Sequence, residues 1–145
     1  MSVTPHLVVP EAGAAATWYE RAFDAREQSR VPLPGGKVMT VVLQIGESSV
    51  HIASEFPQAA ILSPMSIGGT ATVLQINTDD ADTLWEQAMS AGATVEHALA
   101  DQFWGERHGQ LTDPFGHRWN IAQRIRAVPD DEIAAAAARI FTTQA

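Results

Sequence analysis

Apolar and polar residues alternate through "TPHLVV" (4–9), which predicts a strand, and the period then lengthens to helical spacing in "EAGAAATWYERAF" (11–23). "REQSRVPL" (26–33) and "KVMTVVLQI" (37–45) flank the turn signal "PGG" (34–36) and read as a hairpin. "GES" (46–48) turns the chain again into "SVHIA" (49–53), and residues 56–69, with Pro57, Pro64, Gly68 and Gly69, read as a linking loop. The order then repeats. "TATVLQI" (70–76) is a strand, and "DDADTLWEQAMSAG" (79–92) is a helix opening on acids and closing at Gly92. "TVEHALA" (94–100), "RHGQLT" (107–112) and "HRWNIA" (117–122) are three further strands, the last two joined by "DPFG" (113–116). Pro129 and the acids after it start a last, Ala-rich helix over about 129–142. Its stripe of Ile133, Ala137, Ile140 and Phe141 is expected to pack on the body of the protein or on a second subunit.

The repeat extends to residues. "TWYERAF" (17–23) and "TLWEQAM" (83–89) share Thr, Glu and Ala in register, and "HIA" at 51–53 stands 69 positions before "NIA" at 120–122. Two βαβββ modules are therefore expected, one over about 2–55 and one over about 70–125, each too small to bury a core alone. The fold class is α+β, with the modules forming a cup-shaped mixed sheet in a single domain over 1–145. Strand alternation puts Leu7, Val9, Ile52, Ile76, Trp119 and Ile121 toward the helices. Thr4, His6, His51, Val73, Gln75 and Asn120 fall on the other face, inside the curve of the joined sheet. These polar positions read either as satisfied, half-exposed sheet residues or as the wall of a pocket.

Composition narrows the function. The net charge of −8, with Lys37 the single lysine, repels a phosphate backbone, so nucleic acid and anionic membranes are poor partners. A cationic or neutral small molecule is easier to accommodate. No apolar run reaches the ~20 residues of a membrane span, and "MSVTPHLVV" lacks the features of a secretory signal. The absence of Cys removes disulfides and thiolate zinc sites and fits a cytoplasmic location. No Ser sits in a G-x-S-x-G elbow and no phosphate-cradling Gly loop occurs, so nucleotide cofactors are not expected.

The richest chemistry lies in "WGERHGQLTDPFGHRWNIA" (104–122). With "TPHLVVPEAGAAATWYERAF", "DQFWG" (101–105) and the helix exit "SAGATV" (90–95), it resembles the vicinal oxygen chelate superfamily, and within it the PhnB-like branch of glyoxalase and bleomycin-resistance-type proteins. The resemblance runs from about Ser2 to Gln123. It implies a cup-shaped sheet, frequently a homodimer, and in many members a divalent metal held by His, Gln and Glu from the first and last strand of each module.

Carried over position by position, that metal quartet falls on Thr4, His51, Val73 and Asn120, in which His51 alone is a good transition-metal ligand. The resemblance thus implies a metal-free cup. The alternative is a displaced zinc or nickel site formed by His6, His51 and Gln75. In fosfomycin-resistance members the residues three and five before the turn Asp touch the ligand; here they are Gln110 and His108, and alternation adds Glu106 and Trp104. The same spacing of 69 matches these with Val41 and Met39 in the first module, and Gly105 and Gly109 raise the prospect of a register-changing bulge. His117 and Asp113 read as turn or core residues. Two functions remain open. One is a binding protein like the bleomycin-resistance members, holding a small molecule on His6, His51, Gln75, Trp104, Glu106, His108, Gln110 and Asn120. The other is a lyase, isomerase or dioxygenase-type enzyme with Glu106 as its acid–base group, paired with His6 or His51.

Overall fold

In the computed structural model, which describes residues 1–142, the first module runs β1 (His6–Val9), α1 (Ala12–Phe23), β2 (Arg26–Pro32), β3 (Val38–Ile45) and β4 (Ser48–Ser54). After a short helix α2 (Pro64–Ile67), the second runs β5 (Val73–Asn77), α3 (Ala81–Ser90), β6 (Thr94–Asp101), β7 (Glu106–Thr112) and β8 (Arg118–Arg124). The helix α4 (Asp130–Thr142) follows. The strands form two four-stranded sheets of the same order, β1-β4-β3-β2 and β5-β8-β7-β6, and in each the module's first and last strands pair in parallel at one edge. The expected α+β fold of two βαβββ modules is thus present, its strands hydrogen-bonded in two ladders with β1 and β5 as edges.

The two-fold relationship extends to helix capping. Glu11 caps α1, its carboxylate accepting from the Gly13 and Ala14 amides, and Asp80 caps α3 through Thr83 N. Ser54 Oγ accepts from Ala12 N at 2.8 Å, and 69 positions on Gln123 Oε1 accepts from Ala81 N at 2.9 Å. Each last strand therefore holds the start of its module's helix, satisfying a donor that the helix itself leaves open. The second helix starts after Asp80 rather than at Asp79, where the sequence pattern opens it, so Val73 and Thr4 stand equally far before their caps. These caps match Ala16 with Trp85 and Tyr19 with Ala88. The sequence likeness of the helices is shifted from this by three residues, close to one turn, which preserves the buried face.

The core lies between the helices and the inner faces of the sheets. Leu7, Val9, Ile52, Trp119 and Ile121 are buried there and Ile76 packs against them, as the alternation requires. The modules meet through α1: Trp18 Nε1 donates to Ala91 O at 2.6 Å, and the Phe23 and Trp119 rings lie 4.8 Å apart. Asp113, in the turn before β8, is more than turn chemistry. Its carboxylate is buried and accepts from Tyr19 Oη in the other module, from Trp119 Nε1 at 2.9 Å, and from the Phe115 and His117 amides. Buried His117 reaches the Val8 carbonyl at 2.7 Å, a second tie between modules.

Two expectations change. Residues 56–69 are not irregular throughout: Pro57 and Pro64 each start a short helical turn, where a missing N–H is harmless. The Glu55 carboxylate holds the second turn by accepting from Ser63 N at 2.6 Å and from the Ser66 hydroxyl. The last helix forms as predicted, but none of its residues is buried, and Ile140 and Phe141 are 40% and 67% exposed.

Candidate functional site

On the face of each sheet away from the helices, the pairing registers decide which side chains meet. In the first sheet His6 pairs with His51 across the parallel ladder, and their rings lie 4.5 Å apart. In the second sheet Gln75 occupies the place of His6 and Asn120 that of His51. The outward partner of Asn120 on β7 is Gln110, and the outward partner of His51 on β3 is Val42. Val42, and Thr40 after the same logic, therefore match Gln110 and His108. Val41 does not: it is fully buried on the helix side, and Met39 lies outside the set. The spacing of 69 fails between β3 and β7 because the Asp113–His117 turn is one residue longer than its counterpart at Ile45–Ser48.

Gly105 and Gly109 cause no slip in β7, whose register with β8 is regular from Glu106 to Thr112. The irregularities lie in β6, at Val95–His97 and His97–Ala100. Gly109 accommodates them, since a Cβ there would lie 2.7 Å from Trp85 and 2.9 Å from the Leu99 backbone.

Three clusters of the anticipated residues result. Gln110, Asn120 and Gln75 form one hydrogen-bonded chain across three strands. Arg118 Nη2 donates to Gln110 Oε1 at 2.6 Å, Gln110 Nε2 to Asn120 Oδ1 at 3.0 Å, Asn120 Nδ2 to Gln75 Oε1 at 3.4 Å, and Gln75 Nε2 to Asn77 Oδ1 at 3.0 Å. A guanidinium only donates, so Arg118 fixes which end of Gln110 faces it, and the sense passes from amide to amide. Arg118 and Asn77 were missed from the sequence. Both lie on the predicted face at two-residue spacing from Asn120 and Gln75, which was the available signal.

The second cluster is Trp104, Glu106 and His108. Trp104 Nε1 donates to Glu106 Oε1 at 2.6 Å, and the indole meets the His108 ring edge-on at 5.3 Å. Desolvation lowers the His108 pKa below its usual value, against the raising effect of Glu106 and with a smaller push down from His97. An imidazole, a carboxylate and an indole thus stand together. The third cluster is His6 with His51. Among the described residues no hydrogen bond or ring contact links this pair to the other two, and Glu106 is engaged by Trp104 rather than by either histidine.

The family's metal does not fit the positions that would hold it. Val73 offers no donor atom, Thr4 lies exposed ahead of β1, and both ends of the Asn120 amide are committed to Gln110 and Gln75. Among the described residues no group of three or more His, Asp or Glu is placed to hold a metal. In the alternative set, Gln75 lies on the second sheet with its carbonyl oxygen accepting from Asn120, while the two histidines pair on the first.

Two hollows adjoin these clusters. A groove of about 1080 Å³ runs between Ser2–Pro5, the β3–β4 turn and β5. A smaller one of about 330 Å³ is lined by Asn77, Thr78, Asp79, Glu106, Ala122 and Arg124, where the amide chain ends.

Known proteins share this architecture. An uncharacterised protein of Mycobacterium tuberculosis (strain H37Rv) is 43% identical over 138 residues, covering 93% of this chain and 81% of the relative. The X-ray structure of an Arabidopsis thaliana gene product is 30% identical, with a TM-score of 0.67 over 84% of this chain and 98% of that one. The crystal structure of a bleomycin-binding protein complexed with bleomycin is 23% identical, with a TM-score of 0.60 over 85% of this chain and 98% of that one, a likeness of fold. The sequence model of the Glyoxalase/Bleomycin resistance protein/Dioxygenase superfamily matches residues 3–121, and the chain belongs to that superfamily.

Proposed function

We propose that this chain binds a small molecule on the outward face of its second sheet and does so without the metal used by many of its relatives. The observation that carries this reading is the fate of Asn120. At the position of a metal ligand stands an amide joined on both sides to other amides, in a chain started by Arg118. The half-buried amides of Gln110 and Asn120, the half-buried Trp104 indole and His108 supply the few oriented polar groups and the planar surface that small-molecule sites use. The bleomycin bound by a protein of the same fold supports ligand binding as a use of this architecture.

The same reading makes the protein a homodimer. Met65 and Ile67 of α2 are 63% and 62% exposed, and Phe141 of α4 is 67% exposed, apolar surface that a second copy would cover. Sedimentation of a single monomeric species would remove that part. Elemental analysis and a thermal-shift screen with bleomycin and a panel of metabolites test the rest. Less than stoichiometric metal with at least one stabilising compound is expected. One tightly held divalent ion per subunit, lost in His51→Ala, would favour the enzyme with a displaced metal instead.

A further inference from the structure

We infer that the 330 Å³ hollow at the end of the amide chain takes a zwitterionic head group, a carboxylate with an adjacent ammonium such as the α-amino acid end of a ligand. The inference rests on the reading that the outward face of the second sheet is the ligand site, and adds the chemistry of one end of it.

Two separate features meet in this hollow. The first is the sense of the amide chain. Because each carbonyl oxygen back to Arg118 accepts from the preceding group, the chain terminates with Asn77 Oδ1 occupied. The Asn77 NH₂, without an acceptor among the described residues, is the end presented to a ligand. The second is a cross-strand pair that does not close. Glu106 and Arg124 are direct partners in the antiparallel β7–β8 ladder, on the same face. The carboxylate is drawn to Trp104 Nε1 instead, and Arg124 has no ion-pair partner among the described residues. An unpaired guanidinium in a chain of net charge −8 calls for an anion.

The hollow thus carries both signs: the Arg124 guanidinium and the Asn77 amide as donors, with the Glu106 carboxylate on β7 to one side of Arg124 and Asp79, beyond the end of β5, to the other. A simple anion would meet both carboxylates, and a simple cation would meet Arg124. A carboxylate joined to an ammonium meets both kinds of charge, and small Ala122, buried between β7 and β5, leaves room at the floor.

The test is a titration of the isotope-labelled full chain with three probes of one shape, followed by NMR at Asn77, Thr78 and Asp79. The probes are L-leucine, 3-methylbutylamine, which lacks the carboxylate, and 4-methylpentanoate, which lacks the ammonium. Leucine is expected to bind about ten-fold or more tightly than either analogue, and Arg124→Gln and Asp79→Asn each to weaken it by about ten-fold, the weight of one charge-assisted contact. Both positions are exposed, so the variants are expected to fold. Equal binding of the three probes, no response to leucine at residues 77–79, or wild-type leucine binding by Arg124→Gln would overturn the inference. A compound from the metabolite panel that still shifts Gln110 and Asn120 in that event would leave the broader function standing, whereas loss of both responses would remove both.

Discussion

Arg118 donates to Gln110 Oε1 at 2.6 Å, and this contact orients a line of four side-chain amides across three strands. Without the guanidinium each amide would be free to turn over, since its two ends differ only in hydrogen-bonding sense. Arg118→Leu is expected to leave the fold intact and to cost about 1 kcal/mol of stability. The side-chain NH₂ signals of Gln110, Asn120 and Gln75 should move together toward values for exposed amides. Unchanged signals at Asn120 and Gln75 would show that Arg118 sets nothing beyond its own contact.

Asp113 is expected to be the costliest polar residue to replace. Asp113→Ala leaves the Tyr19 hydroxyl and the Trp119 indole N–H buried without their acceptor, at about 1–3 kcal/mol each. Burial, reinforced by Asp113, holds the Tyr19 phenol well above its ordinary pKa of 10.0, so it remains a donor through the usual pH range. Denaturant unfolding should register a loss of about 3 kcal/mol or more, and a loss below about 1 kcal/mol would contradict this role.

Gly109→Ala should destabilise by about 1–3 kcal/mol, because the added methyl strikes the Trp85 ring and the Leu99 backbone rather than a movable side-chain end. Gly35→Ala, where a Cβ meets nothing within 4 Å, isolates the effect of positive φ from that of crowding. Comparable thermal shifts for the two variants would argue against close packing of β6 on β7.

His108 gives stability a specific pH dependence. Its folded pKa lies below the unfolded value of 6.5, so near pH 6 the unfolded chain binds more protons and stability rises with pH. The contribution is complete above 6.5 and is lost as pH falls through the depressed folded pKa. Glu11, Glu27, Glu55 and Asp80, whose pKa values are lowered by hydrogen bonds or an Arg partner, act in the same direction but in a more acidic window, below their ordinary values of 4.5 and 3.8. Thermal melts of wild type and His108→Gln should therefore diverge between pH 5 and 7, a range that brackets the ordinary imidazole value, and run parallel above it. Parallel curves throughout would place His108 in water-like surroundings.

Much of this was legible in the sequence because two copies of one pattern constrain each other. The shared faces of His6 with His51 and of Gln75 with Asn120, and the buried face through Trp119 and Ile121, follow from alternation plus a fixed spacing. The spacing misled once, where a turn longer by one residue moved the counterpart of Gln110 from Val41 to Val42, and in a strand that step changes the face. Arg118 and Arg124 went unnoticed because an arginine on a strand usually denotes solvent. Only the hydrogen bond of one and the unclosed pairing of the other give them meaning. The links of Tyr19 to Asp113 and of His117 to Val8 join residues far apart in the chain, and no local pattern announces them. The outward stance of α4 was equally hidden, since an apolar stripe states that a helix packs and not on what.

The decisive measurement follows the side-chain amide signals of Gln75, Gln110 and Asn120 while the chain is titrated with the compound that stabilises it most in the thermal-shift screen. Saturable shifts at all three, abolished in Arg118→Leu, are the predicted result. Shifts confined to His6, His51 and their strands, with the three amides unmoved, would place the ligand on the other sheet and contradict the account.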